Sequence, residues 1–339
     1  MATTRYLTGV TTTGTPHLGN YVGAIRPAIA ASHNPAHDAY YFLADYHALI
    51  KCEDPEKIRA STRDIAATWL ALGLDPERTT FYRQSDIPEI PELCWVLQCS
   101  AAKGLLGRAH AYKAARQANQ EKGLQDLDTG ISMGLFSYPV LMAADILLFQ
   151  AQKVPVGKDQ IQHIEMARDM AQRFNSRYQT VFTMPEAVVD ESIPVLTGTD
   201  GRKMSKSYHN TLPIFQTIKQ RQKAINKIKT NLLEPGDPKQ TDDSVVFTLW
   251  CAFADADQQA YMRTQFEQGI GWGQAKKELC TLIHEPLQQA QAQYQYYCEH
   301  PEVMETILQN GASKARQQSI QTMGNVRQAI GISPLAVNP

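Results

Sequence analysis

The sequence lacks a metal or disulfide pattern, a charge-free apolar run of membrane length, and any surplus of charge. Six cysteines, at positions 52, 94, 99, 251, 280 and 298, form no C-x-x-C pair, and none stands at zinc spacing from a histidine. Free thiols scattered through 339 residues fit a reducing compartment, so a cytoplasmic location is expected. The opening MATTRYLTGV has no long apolar run behind its arginine, so no signal peptide is expected. Lys+Arg number 33 and Asp+Glu 34, a net charge of −1, so total charge advertises neither nucleic acid nor membrane. Any basic footprint must be local. Hydrophobic residues at 43% and charged residues at 20% exclude a disordered chain, and the length suits two domains.

The stretch closest to a membrane span is Ile131–Phe149. It contains Pro139, Ser132 and Ser137, with Asp145 towards its end. A carboxylate in lipid costs about 3 kcal/mol on insertion scales. A buried helix is expected, and no membrane partner.

What the sequence does hold is alternation. Short β-like runs at Tyr6–Val10, Tyr40–Leu43, Thr79–Tyr82 and Val154–Val156 are separated by helical signatures. Asp54-Pro55-Glu56 reads as an N-cap followed by proline at the first helical position, with the helix running to Leu72 and stopping at Gly73. Pro91-Glu92 opens another helix, and a third runs from Asp159 with Ile161, Ile164, Met170 and Phe174 near one face. This predicts an α/β fold with a doubly wound parallel sheet, whose ligands sit at the carboxyl ends of the strands. After residue 209 the runs 214–232, 244–255, 274–298 and 301–330 look helical, broken by Pro-Gly-Asp-Pro at 235–238 and by Gly269, Gly271 and Gly273. Residues 1–208 are therefore expected to form the α/β domain, with a helical insertion near 100–135. Residues 209–330 are expected to form an all-helical domain, and 331–339 a tail.

Four constellations carry chemistry. Thr11-Thr12-Thr13-Gly14-Thr15-Pro16-His17-Leu18-Gly19-Asn20 follows the first strand. It reads either as an anion site built from free helix N–H groups, with His17 and Asn20 as further donors, or as an ordinary polar turn. Gly201-Arg202-Lys203-Met204-Ser205-Lys206-Ser207 opens an acid-free basic span that reaches Lys229. Such a loop can neutralise charge building on a polyphosphate; the later lysines suit a solvated face or a nucleic-acid backbone equally. Asp145 is the only charged residue between Asp128 and Lys153, with Tyr138 and Met142 on its helical face. It serves a ligand donor, or else acts as a structural N-cap or a buried pair with Arg or Lys. Gly157-Lys158-Asp159-Gln160 with His163 repeats the strand–glycine–helix arrangement, where Asp159 accepts from ribose hydroxyls or simply caps a helix. Asp45 and His47, ending the second strand, face either a site or the core. His33, His37 and Asp38 have roughly metal-like spacing in a polar loop, a weak signal.

Taken together, these residues resemble a known family. Pro16-His17-Leu18-Gly19-Asn20 is similar to the HIGH signature of class I aminoacyl-tRNA synthetases, and Lys203-Met204-Ser205-Lys206-Ser207 matches that class's second signature letter for letter. Residues 137–149 (SYPVLMAADILLF) and 154–165 (VPVGKDQIQHIE) resemble tryptophan-site segments of the bacterial tryptophanyl enzymes. The similarity runs from about residue 5 to about residue 330. It implies a Rossmann-like (HUP-type) catalytic domain and two reactions: tryptophan and ATP–Mg²⁺ give tryptophanyl-adenylate and pyrophosphate, and the tryptophanyl group then passes to tRNA(Trp).

Carried over by position, the resemblance implies that Asp145 accepts the indole N–H and that Tyr138 and Gln160 hold the ammonium. Met142, Val154, Val156 and Gly9 would surround the ring. ATP would meet Thr11, Thr12, Thr13, His17, Gly19 and Asn20, and its adenosine Gly157, Lys158 and Asp159. Lys203 and Lys206, with Met204, Ser205 and Ser207 of the same loop, would meet adenine and the departing pyrophosphate. His17, Lys203 and Lys206 are thus the implied catalytic residues. No protein-bound metal or organic cofactor is implied. The helical domain would read the anticodon, and the chain would be a homodimer. Thr11-Thr12-Thr13 departs from the Gln-Pro-Ser of many relatives, and Ala115 stands where a second lysine is common beside Lys113, with Arg116 one position on. The cysteine spacing does not support an iron–sulfur cluster. Competing readings are a tyrosyl-tRNA synthetase, a synthetase-like protein that binds tRNA without charging it, and a small-molecule adenylyltransferase.

Overall fold

A computed structural model describes residues 3–190 and 194–332. The expected tail at 331–339 lies outside the described residues from position 333. Five parallel strands form one sheet in the order β3-β2-β1-β4-β5. They are β1 (Thr4–Thr11), β2 (His37–Ala44), β3 (Thr80–Arg83), β4 (Lys153–Pro155) and β5 (Glu186–Val188). The central run Tyr40-Tyr41-Phe42-Leu43 is buried on both faces, as an apolar run in a parallel sheet must be. Its alternate residues feed different cores. Ala39, Tyr41 and Leu43 join Trp69 on one side, while Tyr40, Phe42 and Ala44 join Phe149 on the other. β5 was not expected; Glu186-Ala187-Val188 is too short to show alternation and is a strand because β4 pairs with it.

The helices are α1 (Leu18–Asn20), α2 (Arg26–Ser32), α3 (Asp45–Ala48), α4 (Pro55–Ala71), α5 (Glu89–Ser100), α6 (Lys103–Leu106), α7 (His110–Glu121), α8 (Met133–Leu148) and α9 (Ile161–Arg177). A wider π-helical stretch, Tyr21–Ile25, joins α1 to α2. There the Arg26 N–H reaches back to Tyr21 O, and the following Pro27 has no N–H to give. Asp54 caps α4 through the Glu56 and Lys57 N–H groups. α5 starts at Glu89, earlier than the expected Pro91-Glu92, because proline inside a first turn forfeits no hydrogen bond. On α9, Ile164, Met170 and Phe174 are buried, but Ile161 is exposed, which corrects its placement on that face. α8 is the apolar helix; among the described residues no helix is long and apolar enough to cross a membrane.

The remainder is α10 (Ile218–Asn226), α11 (Val245–Phe253), α12 (Ala256–Glu267), α13 (Trp272–Glu299) and α14 (Pro301–Ala329). α12 was not expected. Its signal is the capping box that Asp255 forms with Gln258, a cue that carries no apolar periodicity. Gly273 does not break the chain but lies inside α13. Leu249, Met262 and Leu279 share one core with Trp69 and Phe81 of the sheet layer. α14 crosses β3 so closely that a Cβ on Gly311 would stand 1.7 Å from the Phe81 carbonyl oxygen. Gly311→Ala therefore forces α14 off the sheet. The expected cost is about 3 kcal/mol, read as a lower urea midpoint; a midpoint equal to wild type would refute the close approach.

Candidate active site

The strand order reverses direction at β1, so the carboxyl ends of β1 and β4 flank the switch point where α/β sheets bind ligands. The turn after β1 is set by Gly14, whose φ of +64° favours glycine and whose N–H donates to Ser61 Oγ at 2.7 Å. His17 caps α1: its Nδ1 accepts the Asn20 N–H at 3.3 Å, and Asn20 Oδ1 accepts the His17 N–H at 3.1 Å. The N–H groups expected to be free here are engaged. That of Leu18 goes to Leu212 O at 2.8 Å, and that of Gly19 to the Met204 thioether at 3.3 Å. A thioether is a weak acceptor, so the Gly19 N–H is the one most easily surrendered to an anion. Thr12 is buried, with its hydroxyl unpartnered.

Burial, reinforced by the Lys206 ammonium, pushes the His17 pKa down to about 4. At neutral pH the imidazole is uncharged and keeps its capping lone pair. The unfolded chain takes up a proton near pH 6.5 that the folded chain refuses until about 4. Stability from this residue is thus complete above 6.5 and lost as pH falls to 4, by about 3 kcal/mol. His17→Asn keeps a capping side chain, so it should flatten the pH dependence of the urea midpoint in that window. An unaltered slope would contradict this.

The basic loop is shaped by a narrow turn. Thr197 pairs with Lys203, the Gly198 N–H donates to Arg202 O at 2.7 Å, and the Met204 N–H donates to Leu196 O at 2.9 Å. Buried Asn210 fills the turn, donating to Asp200 Oδ1 at 2.7 Å and accepting the Ser205 N–H at 2.8 Å. The Asn210 amide, with Arg202, holds the Asp200 carboxyl down at about 2. Lys203 is exposed. Met204 is buried beneath Gly19 rather than open to solvent. Lys206-Ser207-Tyr208 form a short 3-10 turn, and Lys206 Nζ donates to the Thr13 carbonyl. The loop is thereby folded onto the turn after β1.

Asp145, only 1% exposed, is anchored from the ends of two strands. His47, on α3 after β2, lies with Nε2 2.9 Å from Oδ2. Gln84, fully buried after β3, donates Nε2 to Oδ1 at 2.8 Å and Oδ2 at 3.0 Å. Its own Oε1 accepts the Tyr46 N–H at 3.0 Å. In place of the Arg or Lys pair of the alternative reading, an amide and an imidazole hold the acid. Burial raises the Asp145 pKa, against the opposing pull of His47 and Gln84. On the same helix, Tyr138 OH meets His163 Nε2, and Met142 is partly buried. Val154 is buried and Val156 half-buried, while Gly9 packs against the Phe42 ring.

After β4, Gly157 leads a 3-10 turn, Lys158–Gln160. Gln160 Nε2 donates to Asp159 Oδ2 at 3.2 Å, and both glycine and aspartate are exposed. Asp45 instead serves the fold, accepting from the Ser85 N–H and hydroxyl. His37 and Asp38 also have structural duties, toward Ala31 O and Arg5 respectively. Among the described residues no three His, Cys, Asp or Glu side chains form a metal-like group. Lys113 and Arg116 line an open cleft of about 680 Å³ on α7, where Arg116 also faces Asp128 at 3.5 Å. Gln84 was missed by sequence reasoning. Its one signal was its place directly after a strand, where sites collect.

The parallel sheet with its switch point thus carries a buried acid at one end and a lysine loop folded over its first turn, an arrangement suited to binding a nucleotide beside a small ligand. The sequence profile described as tRNA synthetases class I (W and Y) matches residues 2–279, and the chain belongs to that family. Within it, the chain is 56% identical over 335 residues to the tryptophan–tRNA ligase of Neisseria meningitidis, covering 99% of this chain and 100% of that one. The Campylobacter jejuni tryptophanyl-tRNA synthetase complexed with ADP and tryptophan is 41% identical with a TM-score of 0.87, over 96% of this chain and 99% of that one. The tyrosyl-tRNA synthetase of Archaeoglobus fulgidus, complexed with L-tyrosine, shares the fold at 18% identity and a TM-score of 0.63, over 86% of this chain and 90% of that one.

Proposed function

We propose that this chain is a tryptophan–tRNA ligase. A tryptophan carboxylate oxygen attacks the α-phosphorus of ATP, the bond to the bridging oxygen breaks, and pyrophosphate leaves. A ribose hydroxyl of the terminal adenosine of tRNA(Trp) then attacks the acyl carbon of the tryptophanyl-adenylate, the acyl–phosphate bond breaks, and AMP leaves with the hydroxyl proton lost to solvent. Neither step needs a protein nucleophile, so catalysis is positioning and charge stabilisation. The observation that carries the reading is Asp145, a buried acid steadied by His47 and Gln84 within an apolar helix. Two anchors use part of the carboxylate's acceptor capacity and leave the rest for an indole N–H.

In this reading Tyr138 and Gln160 hold the ammonium, and Met142, Val154, Val156 and Gly9 border the ring. The nucleotide lies across the β1 and β4 ends, against Thr11, Thr12, Thr13, His17, Gly19, Asn20, Gly157, Lys158 and Asp159. Lys203 and Lys206 meet its phosphates, with Met204, Ser205 and Ser207 shaping their loop. Mg²⁺ arrives with ATP as part of the substrate. The helical segment 209–330 reads the anticodon, and the working unit is a cytoplasmic homodimer. Amino-acid-dependent pyrophosphate exchange tests the assignment. Exchange is expected with tryptophan; exchange with tyrosine and none with tryptophan would overturn it.

A further inference from the structure

α14 is fastened to both ends of the turn that carries Gln84. Arg83, directly before that turn on β3, holds Asp86 through Nε at 2.8 Å. It also donates to Glu305 of α14, through Nη1 at 2.8 Å and Nη2 at 2.6 Å. Glu89, buried and the first residue of α5, accepts from Arg316 Nη2 at 2.8 Å and from Ser319 Oγ at 3.1 Å, both on α14. Between these two attachments Gly311 lies against the Phe81 carbonyl. Ala312 and Ala315 enter the same core as Ile90 and Leu93 of α5. Inside this frame Gln84 donates to both Asp145 oxygens. We propose that Glu305, Arg316 and Ser319 are positioning residues for tryptophan selection: they clamp the Gln84 turn at both ends and, through Gln84, fix the Asp145 carboxylate for the indole N–H.

The tolerance of the site is narrow. The Gln84 amide donates at 2.8 and 3.0 Å, and such bonds weaken steeply once distance and angle drift. A single 3-10 turn, Gln84–Asp86, has too little hydrogen bonding of its own to hold a side chain to that tolerance. Asp45 steadies its middle through Ser85, and α14 steadies its flanks. Burial pushes the Glu89 carboxyl up, but Arg316 and Ser319 help carry it below its ordinary value, so the acid stays charged for them. A packed apolar pair can hold two helices together about as well, so stability alone does not call for an acid at this place. What the acid adds is direction. Its two oxygens take donors from residues one turn apart on α14, which fixes the register of α5 against α14 and with it the turn that precedes α5.

This inference rests on the assignment of Asp145 to the indole, and the test separates the two. Arg316→Met keeps an apolar stem but removes the donor. In pyrophosphate exchange it is expected to raise KM for tryptophan about fivefold to tenfold and to lower the preference for tryptophan over phenylalanine by a similar factor, with kcat and KM for ATP within about twofold. Arg316→Lys should restore most of both, because the short bond to Glu89 needs one donor. Glu305→Gln, at the half-exposed end of the clamp, removes only a surface ion pair and so keeps the chain folded. It should shift the same two quantities about twofold. In a Gln84→Met background, Arg316→Met should shift KM for tryptophan less than about twofold, because the link is gone. An unchanged preference in folded Arg316→Met or, where that variant does not fold, in Glu305→Gln overturns the proposal, whatever the urea midpoint does. An equal shift with and without Gln84 overturns it too. Should Asp145→Asn leave the preference untouched, the pocket assignment itself fails, and the proposal with it.

Discussion

Asp145→Asn is expected to lower kcat/KM for tryptophan activation about 100-fold and to erode discrimination against phenylalanine by a similar factor. The carboxylate takes donors from His47 and from Gln84, whose amide spans both oxygens. An asparagine presents an NH₂ where one oxygen was, so a donor meets a donor. A charge-assisted bond to the indole N–H is lost as well, worth about 1.5 to 3 kcal/mol. Selectivity falls because a site built around one hydrogen bond rejects a ligand lacking the donor by stranding its acceptor, a penalty of about 10⁴ or more when intact. Pyrophosphate exchange with each amino acid gives the ratio. If tryptophan keeps its full advantage over phenylalanine, the pocket assignment is wrong.

The raised pKa of Asp145 adds a pH signature. A carboxyl whose folded pKa lies above the unfolded one gains stability as it is protonated, and that gain disappears as pH rises through the folded value. Acid should therefore weaken tryptophan activation through Asp145 without unfolding the chain through it. His17 acts oppositely, which lets the two be separated by comparing activity with the urea midpoint across the same pH range.

Much of this was legible in the linear chain because it is local. The all-apolar Tyr40–Leu43 run, the Asp54-Pro55 helix start and the isolated charge of Asp145 each announce themselves within a few residues. What escaped is non-local. Gln84 lies 61 positions from Asp145 and His47 lies 98, and only the parallel sheet brings their strand ends together. The same is true of α14. Gly311 looks like a weak point in a helix, yet it is the residue that lets the helix touch the β3 backbone. The free N–H groups read into the Leu18–Asn20 turn are taken by Leu212, Met204 and His17, two of them far along the chain. Helix-start rules specify which groups lack a helical partner, not which tertiary partner arrives.

Lys206→Ala is expected to slow adenylate formation by about 10² to 10³ while leaving tryptophan affinity within about twofold. The ammonium rests on the Thr13 carbonyl, just past the end of β1, and among the described residues makes no hydrogen bond or ion pair with Asp145, His47 or Gln84. In the proposed reading its charge bears on the phosphates and not on the indole. A preorganised cation is worth most where negative charge grows, here on the bridging oxygen as pyrophosphate separates. Removing it should lower kcat more than it alters binding of either substrate's ground state. Lys206→Arg should rescue poorly. A compact ammonium and a planar guanidinium fork place their donors differently on the Thr13 carbonyl, so the substitution is not conservative there. Single-turnover adenylate formation, set against tryptophan binding measured by equilibrium dialysis, separates the two effects. Equal losses in both would show that Lys206 holds the site together rather than stabilising the departing phosphates.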